Sequence, residues 1–328
     1  MTVALHIQNL TRHFDALVAV DNISFDIRQG EVFGLLGPNG AGKTTTLSML
    51  ATMLPPTSGT ATVNGIDIGK DPDGVRRSIG IVFQDQSLDE ELTAGENMDF
   101  HGRLYRIPAG IRNPRITELL TLVELNDRRN DIVKTFSGGM RRRLEIARGL
   151  LHHPQVLFLD EPTLGLDPQT RNHLWQYIAA LAKEKGITVI LTTHYMEEAD
   201  RLCDRIAIID HGKIIAIDTP KNLKEGLGGD LVTIGSPDPA GVVEALQEPW
   251  VTRVETRNDT VVVSLANADE HLSTIVTLLN TRHIPITAIS VHKPTLEDVF
   301  LSFTGKTIRE QEADSKEIMR MQQKMMRH

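Results

Sequence analysis

One cysteine, Cys203, stands in 328 residues, so no intramolecular disulfide can form and a reducing compartment fits the chain. The thiol sits in Arg201-Leu202-Cys203-Asp204-Arg205 with no histidine or second cysteine beside it. A buried structural role is therefore expected over a reactive one. Long apolar runs are missing as well. Val156–Leu159, Val189–Leu191 and Ile206–Ile209 are typical, and none approaches the ~20 residues that cross a bilayer. The start, Met1-Thr2-Val3-Ala4-Leu5-His6, has no basic head leading into an apolar segment, so no export signal is expected. Internal repeats and low-complexity tracts are absent. Positive charge is also in short supply. Lys and Arg number 35 against 43 Asp and Glu, a formal net charge of −8, which argues against a dedicated nucleic-acid surface without excluding a local basic patch. What remains is a globular balance, 40% hydrophobic and 24% charged, in a chain long enough for one large domain or two modest ones.

From Val3 to about Leu223, β-like runs alternate with helical stretches, the pattern of a layered α/β domain. A hairpin of Ile206–Asp210 and Lys213–Ile217, turning at His211-Gly212, closes that region. The stretch Gly226-Leu227-Gly228-Gly229 reads as a boundary. Beyond it the pattern predicts strand Leu231–Ile234, helix Ala240–Gln247, strands Val251–Thr256 and Thr260–Leu265, helix Glu270–Thr281 and strand Ile284–His292. That βαββαβ order predicts a small α+β domain. A short helix capped by Thr295 follows, with Leu296, Val299 and Phe300 on one face. The expected division is thus 1–225, 226–305 and a charged tail, 306–328. In the tail Ile318, Met321, Met325 and Met326 could form an apolar stripe on a helix, either a frayed end or a docking element.

Gly37-Pro38-Asn39-Gly40-Ala41-Gly42-Lys43-Thr44-Thr45 matches the P-loop pattern. Its context fits, because Val32–Leu36 reads as a buried strand and Thr44–Leu54 as a helix stopping before Pro55-Pro56. Glycines let successive N–H groups close on phosphate, and the helix that follows adds its positive end. Lys43 would reach the β- and γ-phosphates and Thr44 would ligate Mg²⁺. A Gly-rich turn is the plain alternative. Downstream, Val156-Leu157-Phe158-Leu159 ends in Asp160-Glu161, a buried strand delivering two carboxylates. Asp160 would hold Mg²⁺ and Glu161 would act as general base on the attacking water. Alone, such a pair could equally be helix-capping residues.

Phe136-Ser137-Gly138-Gly139-Met140, followed by Arg141-Arg142-Arg143, resembles the signature of ABC ATPases. The order of P-loop, signature, carboxylate strand, Asp and His also resembles that family, over roughly residues 3–220. The resemblance implies a P-loop NTPase of ABC type, with a mixed sheet core, an antiparallel β subdomain and a helical subdomain. It implies Phe14 as the adenine-stacking aromatic and Gln84 as the Q-loop residue at Mg²⁺ and the attacking water. It further implies Asp167, in Gly165-Leu166-Asp167, in the D-loop and His194 as the switch histidine at the γ-phosphate. The other eleven histidines, His152-His153 among them, show no metal-ligand pattern. Phe136 and Met140 depart from the family's usual leucine and glutamine.

In this family the signature of one subunit closes over the ATP of another, so Ser137, Gly138 and Gly139 are expected to serve a second copy. The stretch from Gln84 to Phe136 resembles the helical subdomain that grips a permease. Lys293-Pro294-Thr295-Leu296-Glu297-Asp298-Val299-Phe300 resembles the ending of type-two, daunorubicin-resistance-like exporter ATPases. The expectation is a cytoplasmic homodimer on the inner face of the membrane, binding ATP and Mg²⁺ and powering a separately encoded permease for multidrug, lipid or glycan-like export. The rival is a non-transport ABC ATPase acting on ribosomes or nucleic acid. Against it, the interval from Thr45 to Val156 leaves no room for long coiled coils, and the chain has a single P-loop and a single signature.

Overall fold

A computed structural model describes residues 2–257 and 259–305. The apolar stripe at Ile318–Met326 lies outside the described residues. Two compact units divide between Ile217 and Asp218.

The first unit opens with β1 (Val3–Phe14), β2 (Leu17–Arg28), β3 (Val32–Leu36), α1 (Lys43–Leu50), β4 (Ser58–Val63), β5 (Ile66–Asp67), α2 (Pro72–Ser78) and β6 (Ile79–Val82). It continues with α3 (Ala94–Leu104), α4 (Ala109–Leu122), α5 (Gly138–Leu150), β7 (Val156–Asp160), α6 (Pro168–Lys185), β8 (Thr188–Thr193), α7 (Met196–Leu202), β9 (Arg205–Asp210) and β10 (Lys213–Asp218). An antiparallel sheet, β2-β1-β4-β5, packs against a six-stranded sheet ordered β10-β9-β3-β8-β7-β6. Strands β9, β3, β8, β7 and β6 pair in parallel, and β3, β7 and β8 are buried throughout. This is the expected consequence of short Val/Ile/Leu runs covered on both faces. The shared core includes Leu5, Ile27, Leu47, Val63 and a stacked Phe25–Phe33 pair with ring centroids 5.4 Å apart. Helices α3, α4 and α5 pack on one another and form the helical subdomain between Gln84 and the carboxylate strand.

Register sets up the chemistry. Leu36 lies opposite Thr193 and Asp160 opposite Thr192, so β3, β7 and β8 end level with one another. The segments after them are therefore neighbours at one edge of the sheet, where parallel α/β sheets bind ligands. Helix α1 is shorter than expected. It ends at Leu50 rather than Leu54, because Thr52 turns into the left-handed region and both Met53 and Leu54 N–H fold back onto Ser48 O. Pro55 also bars Leu54 from helical geometry, so the chain must leave the helix early. The β9–β10 turn, His211-Gly212, has φ of 45° and 76°.

The second unit comprises α8 (Pro220–Glu225), β11 (Asp230–Gly235), α9 (Pro239–Ala245), β12 (Val251–Arg257), β13 (Thr260–Leu265), α10 (Ala268–Thr281), β14 (Ala288–His292) and α11 (Leu296–Thr304). The βαββαβ core forms an antiparallel sheet, β12-β13-β11-β14, with α9 and α10 on the face bearing Val232, Ile234, Val261 and Val263. Thr295 caps α11 in a capping box with Asp298, and Leu296, Val299 and Phe300 are buried. The final strand begins at Ala288, not Ile284. Pro285 has no N–H for the ladder, and Ile284 turns inward to the core instead. Division of the units also precedes the glycine-rich stretch, because α8 packs against α11 and so belongs with the second unit.

Cys203 is buried, and burial foremost pushes its thiol pKa well up. A half-buried group has a consequence for stability. His101 on α3 lies 5.0 Å from Tyr105, whose ring stacks on His152, and His152 Nε2–H donates to Ile79 O at 2.7 Å. Burial, then the charge of Arg148 and His152, lowers the His101 pKa from 6.5 to about 4. The unfolded chain then binds a proton that the folded chain refuses, so stability present above pH 6.5 is lost as pH falls from 6.5 toward 4. The shift corresponds to about 3 kcal/mol. His101→Phe should flatten that part of the stability–pH curve in urea melts run between pH 7 and 4; an unchanged slope would exclude His101 as the proton acceptor.

Candidate active site

Between β3 and α1 the loop 37–45 wraps tightly. A Cβ at Gly37 would stand 2.2 Å from Ile209 O, and Gly42 has φ of +104° with Ala19 O at 2.4 Å from the same added atom. Only glycine fits there. Gly42 is also the N-cap of α1 and offers no side chain to the first-turn N–H groups, which stay available to an anion. Lys43 is 5% exposed, and its Nζ donates to Gly37 O at 2.8 Å and Pro38 O at 3.1 Å. The same ammonium lies 3.3 Å from Glu161 Oε1.

At the end of β7, Asp160 Oδ1 accepts from Thr44 Oγ1 at 3.1 Å and from Thr192 Oγ1 at 2.5 Å. Glu161 follows with φ of +48°, a left-handed conformation that costs a non-glycine residue energy and marks functional sites. Its N–H donates to Thr192 Oγ1 at 3.0 Å, and its Oε2 accepts from His194 Nδ1 at 2.7 Å. Oε1 has the Lys43 ion pair but no hydrogen bond. Burial pushes the Glu161 pKa up, yet the His194 hydrogen bond and the Lys43 charge together outweigh it and hold the pKa below the usual 4.5. Two hard oxygen donors, Thr44 Oγ1 and Asp160 Oδ1, stand together beside a phosphate loop, and this set suits Mg²⁺. Among the described residues no cluster of three or more His, Cys, Asp or Glu could hold a metal.

A cleft of about 320 Å³ gathers Phe14, Asn39, Gly40, Lys43, Thr44, Thr45, Gln84 and Glu161. Phe14 is 40% exposed at its rim, with the Arg12 guanidinium 4.6 Å from the ring centroid. Asp160 and His194 join this group through their hydrogen bonds rather than by lining the cleft. Ser137, Gly138, Gly139 and Asp167 do not line it. Ser137 caps α5, its Oγ accepting from Met140 N, so the cap depends on the backbone of residue 140 and not its side chain. Phe136 is buried in the core. Asp167 caps α6, accepting from Thr170 N at 3.0 Å and Thr170 Oγ1 at 2.6 Å. A larger cleft, about 420 Å³, opens at the opposite ends of β7 and β8, around Arg115, Leu119, Gln155 and Lys185. No phosphate loop reaches it, so size does not mark the site. Sequence reasoning singles out neither Thr192 nor Arg142; a threonine in an apolar strand and an arginine in a basic run carry no local signal.

The family described as ABC transporter matches residues 20–164, and a second, ATP-binding protein DrrA1-3-like C-terminal domain, matches residues 219–304. The linearmycin resistance ATP-binding protein of Bacillus subtilis (strain 168) is 41% identical over 314 residues, 93% of this chain and 100% of its own length. The chain belongs to the ABC transporter ATP-binding proteins. The daunorubicin/doxorubicin resistance ATP-binding protein of Streptomyces peucetius is 41% identical to this ABC ATPase, over 93% of each chain. The Nod factor export ATP-binding protein I of Ralstonia nicotianae is 39% identical, over 94% of this chain and 96% of its own. Among solved structures, cbiO1 from Clostridium perfringens, part of an ABC transporter complex, aligns with TM-score 0.64 and 29% identity over 69% of this chain and 94% of that one. A dimeric ATP-binding cassette in a post-hydrolysis state, bound to ADP and Pi, aligns with TM-score 0.59 and 29% identity over 66% and 98%. The fold expected from the motifs, an ABC-type ATPase with a small C-terminal domain, is the one found. Among the described residues no helix is long and apolar enough to cross a membrane.

Proposed function

We propose that this ABC ATPase works as a homodimer that binds two Mg-ATP and drives export through a separate integral-membrane permease. The observation that carries this reading is a division within the chain. The cleft gathers the phosphate loop, Gln84, Glu161 and Phe14, while Ser137 and Gly138 sit exposed at the start of α5, away from it. A helix N-terminus that could hold phosphate but serves none of its own chain suits the nucleotide of a second copy.

In this reading the Gly37–Thr45 amides and Lys43 bind the triphosphate, and Phe14 stacks on adenine. Thr44, Asp160 and Gln84 would hold Mg²⁺, which would supply positive charge to offset that of the triphosphate. Glu161 takes the proton of the attacking water. His194, with Nδ1–H committed to Glu161, contacts the γ-phosphate through Nε2. Asp167 lies at the dimer contact. The cassette spans residues 1–225 and an accessory domain spans 226–305, and the dimer sits on the inner face of the membrane. Relatives named for linearmycin resistance, daunorubicin/doxorubicin resistance and Nod factor export support an export role, with drug-like compounds among the cargo classes to test.

A mixing experiment tests the shared site. A Cβ at Gly138 would meet only Leu166 Cδ2, at 3.7 Å, so Gly138→Asp leaves the fold intact while setting a carboxylate where phosphate should bind. Gly138→Asp and Lys43→Ala chains should each be inactive alone. Mixed equally, they should recover about a quarter of the wild-type rate, since half the dimers hold one intact composite site. An inactive mixture would count against sites built from two copies. Copurification of the wild-type chain with an integral-membrane protein tests the permease.

A further inference from the structure

Helix α5 begins at the signature and turns one buried face toward the catalytic edge. On it lie Arg142 and Glu145, one turn apart, with side chains 8% and 1% exposed and Arg142 Nη1 3.0 Å from Glu145 Oε2. The guanidinium is saturated. Nε donates to Pro162 O at 3.0 Å, Nη2 to Asp160 O at 2.7 Å and Glu161 O at 3.2 Å, and Nη1 also to Phe83 O. Glu145 Oε1 in turn accepts from Ser87 N at 2.9 Å. One ion pair therefore ties three segments together: the signature helix, the loop carrying Gln84, and the backbone on either side of Glu161.

The pattern of acceptors is informative. Successive carbonyls of an extended strand point to alternate sides, so a single side chain cannot collect three in a row. It does so here because Glu161 takes φ of +48°. Such a conformation persists only where its surroundings over-determine it. A buried ion pair is by itself a poor source of stability, since apolar residues of similar volume often do as well. Core stability alone thus leaves the choice of these acceptors unexplained.

We infer that Arg142, braced by Glu145, is a positioning residue for ATP hydrolysis. It holds the backbone turn that aims Glu161 and couples that turn to the Gln84 loop and the signature helix. A shift of the signature helix onto a second copy's nucleotide is thereby transmitted to this chain's own carboxylate. The inference rests on Glu161 being the general base.

The double variant Arg142→Met/Glu145→Met removes both charges at similar volume and leaves no orphaned ion. Expected is a fall in kcat of about 100-fold, the scale set by a misplacement of about 1 Å, with KM for ATP within about threefold of wild type. A role confined to holding the fold would not split kcat from KM in this way. Arg142→Lys is the second variant: it keeps the charge beside Glu145, but a lysine cannot span these acceptors, and kcat should again fall with KM unchanged. A folded double variant, or Arg142→Lys should the double variant fail to fold, turning over at the wild-type rate would overturn the inference. Glu161→Gln is measured in parallel. If it is inactive while the clamp variants are active, the clamp alone is wrong. If it hydrolyses ATP normally, the general-base reading fails and the clamp has nothing to aim.

Discussion

Glu161→Gln should stop ATP turnover while leaving ATP binding in place. The substitution is nearly isosteric, and the amide oxygen can still accept from His194 Nδ1, which lies 2.7 Å from Glu161 Oε2. The N–H bond to Thr192 Oγ1 and the carbonyl bond to Arg142 belong to the backbone and persist. What disappears is the carboxylate that can take a proton. General-base catalysis is worth 10²–10⁴-fold, so kcat should fall by about 1,000-fold. Binding should tighten if it changes at all, because Lys43 Nζ, 3.3 Å from Glu161 Oε1, no longer divides its charge between a carboxylate and the phosphates. With hydrolysis blocked, ATP should hold two copies together, and sedimentation with Mg-ATP should show a dimer that wild type forms only transiently. Phosphate release and calorimetry on the same preparation separate the two effects. Turnover within tenfold of wild type would remove Glu161 from the role of base.

How far the molecule could be read in advance follows from the range of each interaction. The strand–loop–helix around Gly37–Thr45 is legible because everything it needs is contiguous: the apolar strand, the glycines, Lys43 and the helix start lie within residues 32–50. The βαββαβ unit was legible because alternation and capping are local, and Thr295 with Asp298 form the box their spacing suggests. Boundaries set by distant contacts were not. The compact unit that begins at Asp218 includes α8 because α8 meets α11, some seventy residues further on, and nothing in Gly226–Gly229 reports that contact. Arg142 is the extreme case. Its acceptors come from Phe83 and from Asp160 to Pro162, about 60 residues before and 20 after, so within Arg141-Arg142-Arg143 it looks like a solvated charge. Asp167 shows the converse: Gly165-Leu166-Asp167 stands out in the sequence, while the capping of α6 by its carboxylate becomes visible only in the fold.

Lys43→Ala should abolish nucleotide binding and, separately, unsettle the buried edge of the sheet. Charge-assisted hydrogen bonds to phosphate are worth about 1.5–3 kcal/mol each, so losing two predicts an affinity weaker by at least about 100-fold. The same change leaves Glu161 hydrogen-bonded to His194 in a buried setting but without the ammonium, removing one of the causes that hold its pKa down. A carboxylate with a depressed pKa stabilises the fold above its unfolded value and loses that contribution as pH falls through its folded one. Lys43→Ala should therefore be less stable than wild type at neutral pH, with the gap closing as pH drops below 4.5. Adding Glu161→Gln removes the stranded charge, so the double variant should regain stability without regaining affinity. This double-mutant cycle separates the lysine's two duties, because the two residues are in contact and should not behave additively. If Lys43→Ala binds Mg-ATP within threefold of wild type, the loop at 37–45 is not where the triphosphate rests. If the double variant stays as unstable as the single one, the Lys43–Glu161 pair contributes nothing to the folded state, and the stability loss must come from Gly37 and Pro38, whose carbonyls the ammonium also holds.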